Sequence, residues 1–234
     1  MVLGVVLAGV VMTLGWLGHG FLWPKKTWTW HQQLTLVVQT PAGTVSGGSV
    51  VRVHAKLMNS MQGGEMLPVD VTGEASVVEV APGRYLFALL VDQGGSDTLI
   101  PTITARTFPE MPDGEVESRL DLHEERRETR PVPLDDPSYA RDVTPMLVTF
   151  RDPRDPKTAE LVDPRDLAAT FGEGFALEAM TLSLVDGPVS EPIVPTFLPW
   201  VTDEFYRSHA IFGHRGSSYD YPKDIRVWML RSTN

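Results

Sequence analysis

The sequence predicts an α+β protein in which an N-terminal transmembrane helix precedes a mostly antiparallel β-sheet domain with a few short helices. Three observations carry this. Met1 to Trp23 contains no Asp, Glu, Lys or Arg. The chain after it alternates apolar and polar residues with period two over long stretches, and its helix signatures are short and bounded by proline or glycine. The 234 residues, less this first segment, are enough chain for a domain with a real hydrophobic core.

A hydrocarbon core about 30 Å thick needs roughly 20 apolar residues of helix, so Met1 to Trp23 is long enough to span it. No Lys or Arg precedes the run, and Leu22-Trp23-Pro24 is a poor cleavage site, which favours a retained span over a removable signal peptide. Trp16, Phe21, Trp23, Trp28 and Trp30 form an aromatic cluster, the last three placed for the membrane interface. Gly4 and Ala8, and Gly9 and Thr13, are small-residue pairs of the spacing that lets helices approach closely. Lys25 and Lys26 follow the span and favour a cytoplasmic C-terminal domain, whereas a large domain behind an N-terminal anchor is also a common exported arrangement. Both orientations stay open.

Residues 24–32 read as a juxtamembrane segment and 33–108 as the β-rich first half of the soluble part. Leu34, Leu36 and Val38 alternate with polar neighbours, Pro41-Ala42-Gly43 supplies a turn, and Val51, Val53, Ala55 and Leu57 continue on a second strand. Arg52, His54 and Lys56 form a basic row on the opposite face of that strand, either an anion site or a solvated charged face. Asn59 to Pro68 reads as a loop. Val69 to Val80 and Arg84 to Val91 form a second strand pair about Ala81-Pro82-Gly83, and Tyr85 to Leu90, apolar on both faces, reads as a central strand. Gly94-Gly95-Ser96-Asp97 lacks the spacing of a phosphate loop and reads as a surface turn. Leu99 to Phe108 is extended or helical.

Residues 109–144 are charged and flanked by proline, which predicts an insert or linker, with at most a short solvated helix around Val116, Leu120 and Leu122. The second half, 145–234, starts with a short strand at Met146 to Phe150. Asp152, Asp155, Asp163 and Asp166 follow; hard-cation ligation is conceivable for them, but each Asp-Pro is explained by turn chemistry. Asp163 to Gly172 reads as a two-turn helix with Asp163 as N-cap, Pro164 at the first position, Leu167 and Phe171 on one face, and Gly172 as its stop. Ala176 to Val185 is extended. Pro192, Pro195 and Pro199 forbid a long helix, so Ile193 to Trp200 should lie as a strap over the sheet. Thr202 to Gly213 reads as a further helix, and Ile225 to Leu230 as an edge strand.

Gly73 to Leu90, Pro145 to Val189 and Leu198-Pro199-Trp200 together resemble a set of uncharacterised bacterial single-pass membrane proteins. The resemblance implies the anchor-plus-domain layout and carries over no functional residue.

Composition removes several function classes. Lys and Arg total 20 against 30 Asp and Glu, for a net charge of -10 with no basic tract, which argues against nucleic acid as a partner. The absence of cysteine excludes disulfides, thiolate metal sites and a cysteine nucleophile. No HExxH, GxSxG, Walker or dinucleotide motif occurs. His209 and His214, with Tyr206, Asp220 and Tyr221, form the one polar-aromatic cluster worth inspection. No residue is assigned a catalytic, cofactor or metal role, and no cofactor is implied. The expected function is a membrane-tethered, non-enzymatic binding or accessory module of the bacterial inner membrane, with a protein partner in the membrane or envelope. The alternative is a membrane-anchored hydrolase built on His209, His214 and nearby carboxylates.

Overall fold

A computed structural model describes residues 24–60, 62–134, 143–202 and 230–233. Two long strands, β1 (Lys26–Thr40) and β2 (Gly43–Asn59), form a hairpin closed at Pro41-Ala42, where the Thr40 hydroxyl donates to the Gly43 carbonyl at 2.7 Å. They belong to a mostly antiparallel sheet that also contains β3 (Glu65–Met66), β4 (Val69–Glu74), β7 (Glu128–Pro131), β10 (Ala176–Val185) and β11 (Arg231–Thr233), in the order β11-β4-β2-β1-β10-β7, with β3 paired to β2. A second, antiparallel sheet has the order β5-β6-β8-β9, from β5 (Ser76–Ala81), β6 (Arg84–Asp92), β8 (Pro145–Phe150) and β9 (Ala159–Val162). Short helices complete the described part: α1 (Leu99–Thr107), α2 (Val116–Glu125), α3 (Leu167–Phe171) and α4 (Val194–Phe197).

The chain forms two compact units: one takes the residues up to Thr29 together with His54–Asp70, the other Trp30–Val53 and the residues from Val71 onward. In the first, the Lys25 backbone N–H donates to the Leu57 carbonyl at 2.7 Å, and Lys25 and Lys56 bond the carboxylates of Glu65 and Asp70. The second unit holds both sheets' main cores. Alternation along β1 and β10 buries Leu34, Leu36 and Val38 and, opposite Leu36, Leu34 and Gln32 respectively, Met180, Leu182 and Leu184. The β6 run is buried on both faces, as its sequence predicts for an internal strand: Phe87, Leu89 and Val91 join one core cluster, while Leu86, Ala88 and Leu90 are buried on the other side. Val194, Leu198 and Val201 from the predicted strap enter that cluster beside Met146, Val148 and Phe150. Trp200 stacks edge-on to Phe150 at 5.6 Å and donates to the Pro153 carbonyl at 3.0 Å.

The expected single strand from Val69 to Val80 is two strands in two sheets. Gly73, at φ 144, lies against Val51 with no room for a Cβ, and the chain turns at Ala75 so that β4 stays in the larger sheet while β5 starts the smaller. A Cβ on Gly47 would overlap the Val77 carbonyl oxygen, so only glycine lets β2 and β5 lie this close. Hydroxyls stitch the crossing. Ser49 Oγ donates to the Glu74 carbonyl at 2.5 Å, and Ser76 Oγ donates to the Leu34 carbonyl at 2.7 Å. The Glu74 side chain, 4% exposed, accepts the backbone N–H groups of Ile193 and Val194, each at 2.9 Å, and so holds the start of the strap.

Several expectations are corrected. Trp28 and Trp30, assigned to a membrane-interface belt in a juxtamembrane segment 24–32, lie on β1 at 1% and 3% exposure, because the strand's alternation turns even-numbered residues inward. Asn59 to Pro68 contains β3. Leu99 to Thr107 is helical, with Leu99, Ile100 and Ile103 buried, and packs against β6. Within 109–134, Val116–Glu125 forms the short helix allowed for this stretch but buries Leu120 and His123, and Glu128–Pro131 pairs with β10; residues 135–142 lie outside the described residues. The helix expected at Asp163 starts at Leu167. Asp163 is committed to the Arg165 N–H in a turn, and Asp166 is the N-cap, accepting from Ala169 at 3.0 Å. Gly172 does end it, and Leu167 and Phe171 are buried as expected. The edge strand near the C-terminus covers 231–233; residues 225–229 and the helix predicted over 203–213 lie outside the described residues. Among the described residues no helix is long and apolar enough to cross a membrane, and Met1 to Trp23 lies outside them.

Replacing Glu74 with Ala strands two buried N–H groups and should lower unfolding stability by about 2–4 kcal/mol, with Glu74→Gln retaining an acceptor and losing less, as measured by urea denaturation. Equal stability of Glu74→Ala and wild type would refute the role given to this carboxylate.

Candidate functional site

Where the β8–β9 edge of the smaller sheet faces the start of β10, the surface opens into a groove of about 790 Å³. Its apolar lining comes from Leu134, Met146, Leu147, Leu161, Val162 and Leu177, and its polar groups are Gln93, Thr144, Asp163 and Arg165. In the walls, β8 is buried throughout, whereas Leu161 on the edge strand β9 is 51% exposed. The Asp163 turn presents the polar rim, its carboxylate already accepting the Arg165 N–H at 2.9 Å. The volume suits an apolar side-chain cluster or a small amphipathic molecule. Chemically the described lining offers shape, apolar area and one acid with one guanidinium. Among the described residues of the lining there is no histidine, cysteine, serine or lysine, and the hydroxyl present is that of Thr144.

The second concentration of polar chemistry is enclosed. The Trp30 indole N–H donates to Gln32 Oε1 at 2.8 Å, the Thr104 hydroxyl donates to the same oxygen, and Gln32 Nε2 reaches the Ile100 carbonyl at 3.4 Å. His123 of α2, 2% exposed, donates from Nε2 to the Phe108 carbonyl at 3.3 Å and meets Trp30 edge-to-face at 5.4 Å. Its Nδ1 is buried without a hydrogen-bond partner. Burial pushes the imidazole down to about 4, with the nearby Arg119 and Arg126 adding to this and the Phe108 hydrogen bond opposing it. Arg126 and Arg130 both sit over the Phe108 ring, 5.8 and 5.0 Å away, and both bridge Glu110, at 2.9 and 2.7 Å. Desolvation alone would raise the Glu110 pKa, but its own backbone N–H and the Arg130 and Arg126 guanidiniums outweigh that and hold it at about 2. His123 is enclosed, and the bonds of this cluster fasten α1 and α2 to β1.

The sequence-predicted candidates disperse. Arg52 donates to Thr72 at 3.0 Å, His54 bonds Thr29 at 2.9 Å and Lys56 pairs with Asp70 at 2.5 Å, so each member of the basic row is engaged by a neighbouring strand. Asp152, Asp155, Asp163 and Asp166 each accept a local backbone N–H, and among the described residues no group of acids and histidines could hold a metal ion. Asp92 does the same for Gly94 and Ser96, which makes the Gly94-Gly95-Ser96 segment a turn. Tyr206, His209, His214, Asp220 and Tyr221 lie outside the described residues. The groove escaped sequence reading because its walls come from separate segments.

His123 makes stability pH-dependent. Its folded pKa, about 4, lies below the ordinary 6.5, so the unfolded chain binds the extra proton: the contribution is complete above about pH 6.5 and is lost as pH falls toward 4, roughly 3 kcal/mol in all. Glu110, held at about 2 against an ordinary 4.5, removes further stability as pH falls from about 4.5 toward 2. Denaturant titrations at several pH values should show the first slope disappear in His123→Leu and the second persist.

No protein-family model, curated protein or solved structure matches the chain, so the functional argument rests on the groove and on the uncharged N-terminal segment.

Proposed function

We propose that this chain is a membrane-tethered, non-enzymatic binding module of the bacterial envelope, an accessory subunit that presents its β-rich domain to another protein of the membrane. The observation that carries the reading is the leucine-lined groove with the half-exposed Leu161 on an edge strand, an apolar recess with Gln93, Asp163 and Arg165 exposed around it. Recesses of this kind take an apolar anchor residue from a partner, with the rim fixing register. Met1 to Trp23, free of charged residues and followed by Lys25 and Lys26, supplies the tether, and β1 starts three residues after it, which leaves little slack between bilayer and domain. Placement in a bacterial inner membrane follows the resemblance of Gly73 to Leu90 and Pro145 to Val189 to bacterial single-pass proteins.

Affinity purification at native expression in mild detergent should recover the full chain with a membrane protein in fixed ratio. Leu161→Asp combined with Leu177→Asp should abolish that recovery, because a charge in an apolar contact costs several kcal/mol, while leaving the chain in the membrane fraction. Recovery as a lone monomer, or undiminished recovery by the doubly charged variant, overturns the proposal.

A further inference from the structure

We infer that the hairpin end formed by Leu57, Met58, Met66 and Leu67 is a second membrane contact, lying in the lipid headgroup layer beside the tether. This rests on Met1 to Trp23 being a bilayer span. Met66, on the two-residue strand β3, is 47% exposed and sits directly across from Met58. Lys25 is clamped to this end twice, through its backbone N–H to the Leu57 carbonyl at 2.7 Å and through Nζ to Glu65 Oε1 at 2.7 Å. Only Pro24 stands between Trp23 and Lys25. Two residue steps cover at most about 7 Å. The headgroup layer on each side of the hydrocarbon is roughly 5–8 Å deep. A span ending at Trp23 therefore keeps the Leu57 carbonyl within about 10 Å of the hydrocarbon edge, at the depth of that layer or just beyond it, with Met66 beside it across from Met58.

Charge and side-chain chemistry agree with this placement. Around the hairpin end stand Lys25, Lys26 and Lys56 against Glu65 and Asp70, a small cationic excess in a chain whose net charge is -10. The rest of the domain is repelled by anionic lipid, whereas this end is not. Lys25 stays 44% exposed in its ion pair, free to turn toward phosphates, and unbranched methionine side chains adapt to the uneven headgroup boundary.

The absence of native cysteine allows a direct test. Full-length Met66→Cys, carrying an environment-sensitive fluorophore and reconstituted into phosphatidylcholine–phosphatidylglycerol vesicles, should emit blue-shifted light and be quenched by headgroup-nitroxide lipid several-fold more than the same label at Val116→Cys, an exposed apolar position on α2. If alkaline carbonate leaves the protein in the vesicles but the label at 66 responds only to aqueous iodide, as at 116, the hairpin contact is refuted while the tether stands. Protection from both quenchers would place the label against protein and also refute it. Extraction by carbonate removes the tether reading, and the hairpin contact with it.

Discussion

Between Glu74 and Ser76 the chain leaves one sheet and enters the other, and the position of everything packed on the smaller sheet is inherited from that crossing. A buried carboxylate is costly unless its oxygens are bonded. Glu74, at 4% exposure, accepts the Ile193 and Val194 N–H groups on Oε2, which ties the strap to the junction. The strap in turn supplies Val194, Leu198 and Val201 to the core over β6 and β8. Gly47 and Gly73 leave the space, and Ser49 and Ser76 spend their hydroxyls on carbonyls that the change of sheet would otherwise leave unpaired. Arg84 makes a comparable link at the other end of β6, donating to the Thr170 and Phe171 carbonyls and so capping α3.

Two collections of polar groups meet different fates in this framework. Around His123, donors and acceptors are enclosed by Trp30 and Phe108, and their hydrogen bonds are spent on holding helices to β1. The arginines over Phe108 close that cluster from outside, neutralised by Glu110 and Glu128. At the groove Gln93, Asp163 and Arg165 are exposed, Thr144 is buried, and the remaining walls are mostly aliphatic.

The tether reading and the hairpin end belong together through geometry. A sheet whose first strand starts at Lys26 cannot hang far from whatever holds Trp23. The hairpin that pins Lys25 carries the methionines and the cationic excess, whereas the acidic bulk of the domain lies elsewhere in the chain.

How much was legible follows from the range of each interaction. Alternation in β1, β2 and β10 and the two-sided apolar run of β6 are local patterns that the strands follow, and the Leu167–Phe171 helix falls inside the Asp163 to Gly172 stretch that predicts it, although it starts later than expected. Met1 to Trp23 is likewise a purely local feature. Trp28 and Trp30 misled because an indole suits a membrane interface and a strand core equally, and only the pairing of β1 with β10 decides between them. Asp163 and Asp166 are both good caps, and one turn's hydrogen bond to Arg165 settles which is used. Glu74 sits inside what reads as a single strand, since nothing in Val69 to Val80 announces a change of sheet; its partners are more than a hundred residues away. His123 lies on a helix whose composition is that of a solvated surface, and its burial depends on Trp30 and Phe108 arriving from other segments. By itself the sequence determined strands β1, β2, β6, β8 and β10, the short helix ending at Gly172 and the uncharged N-terminal run, because those depend on near neighbours in the chain; β3, β7, the split of Val69 to Val80 between two sheets, the enclosed histidine and the groove were decided only by tertiary structure, because each is made by segments that meet solely after the sheets assemble.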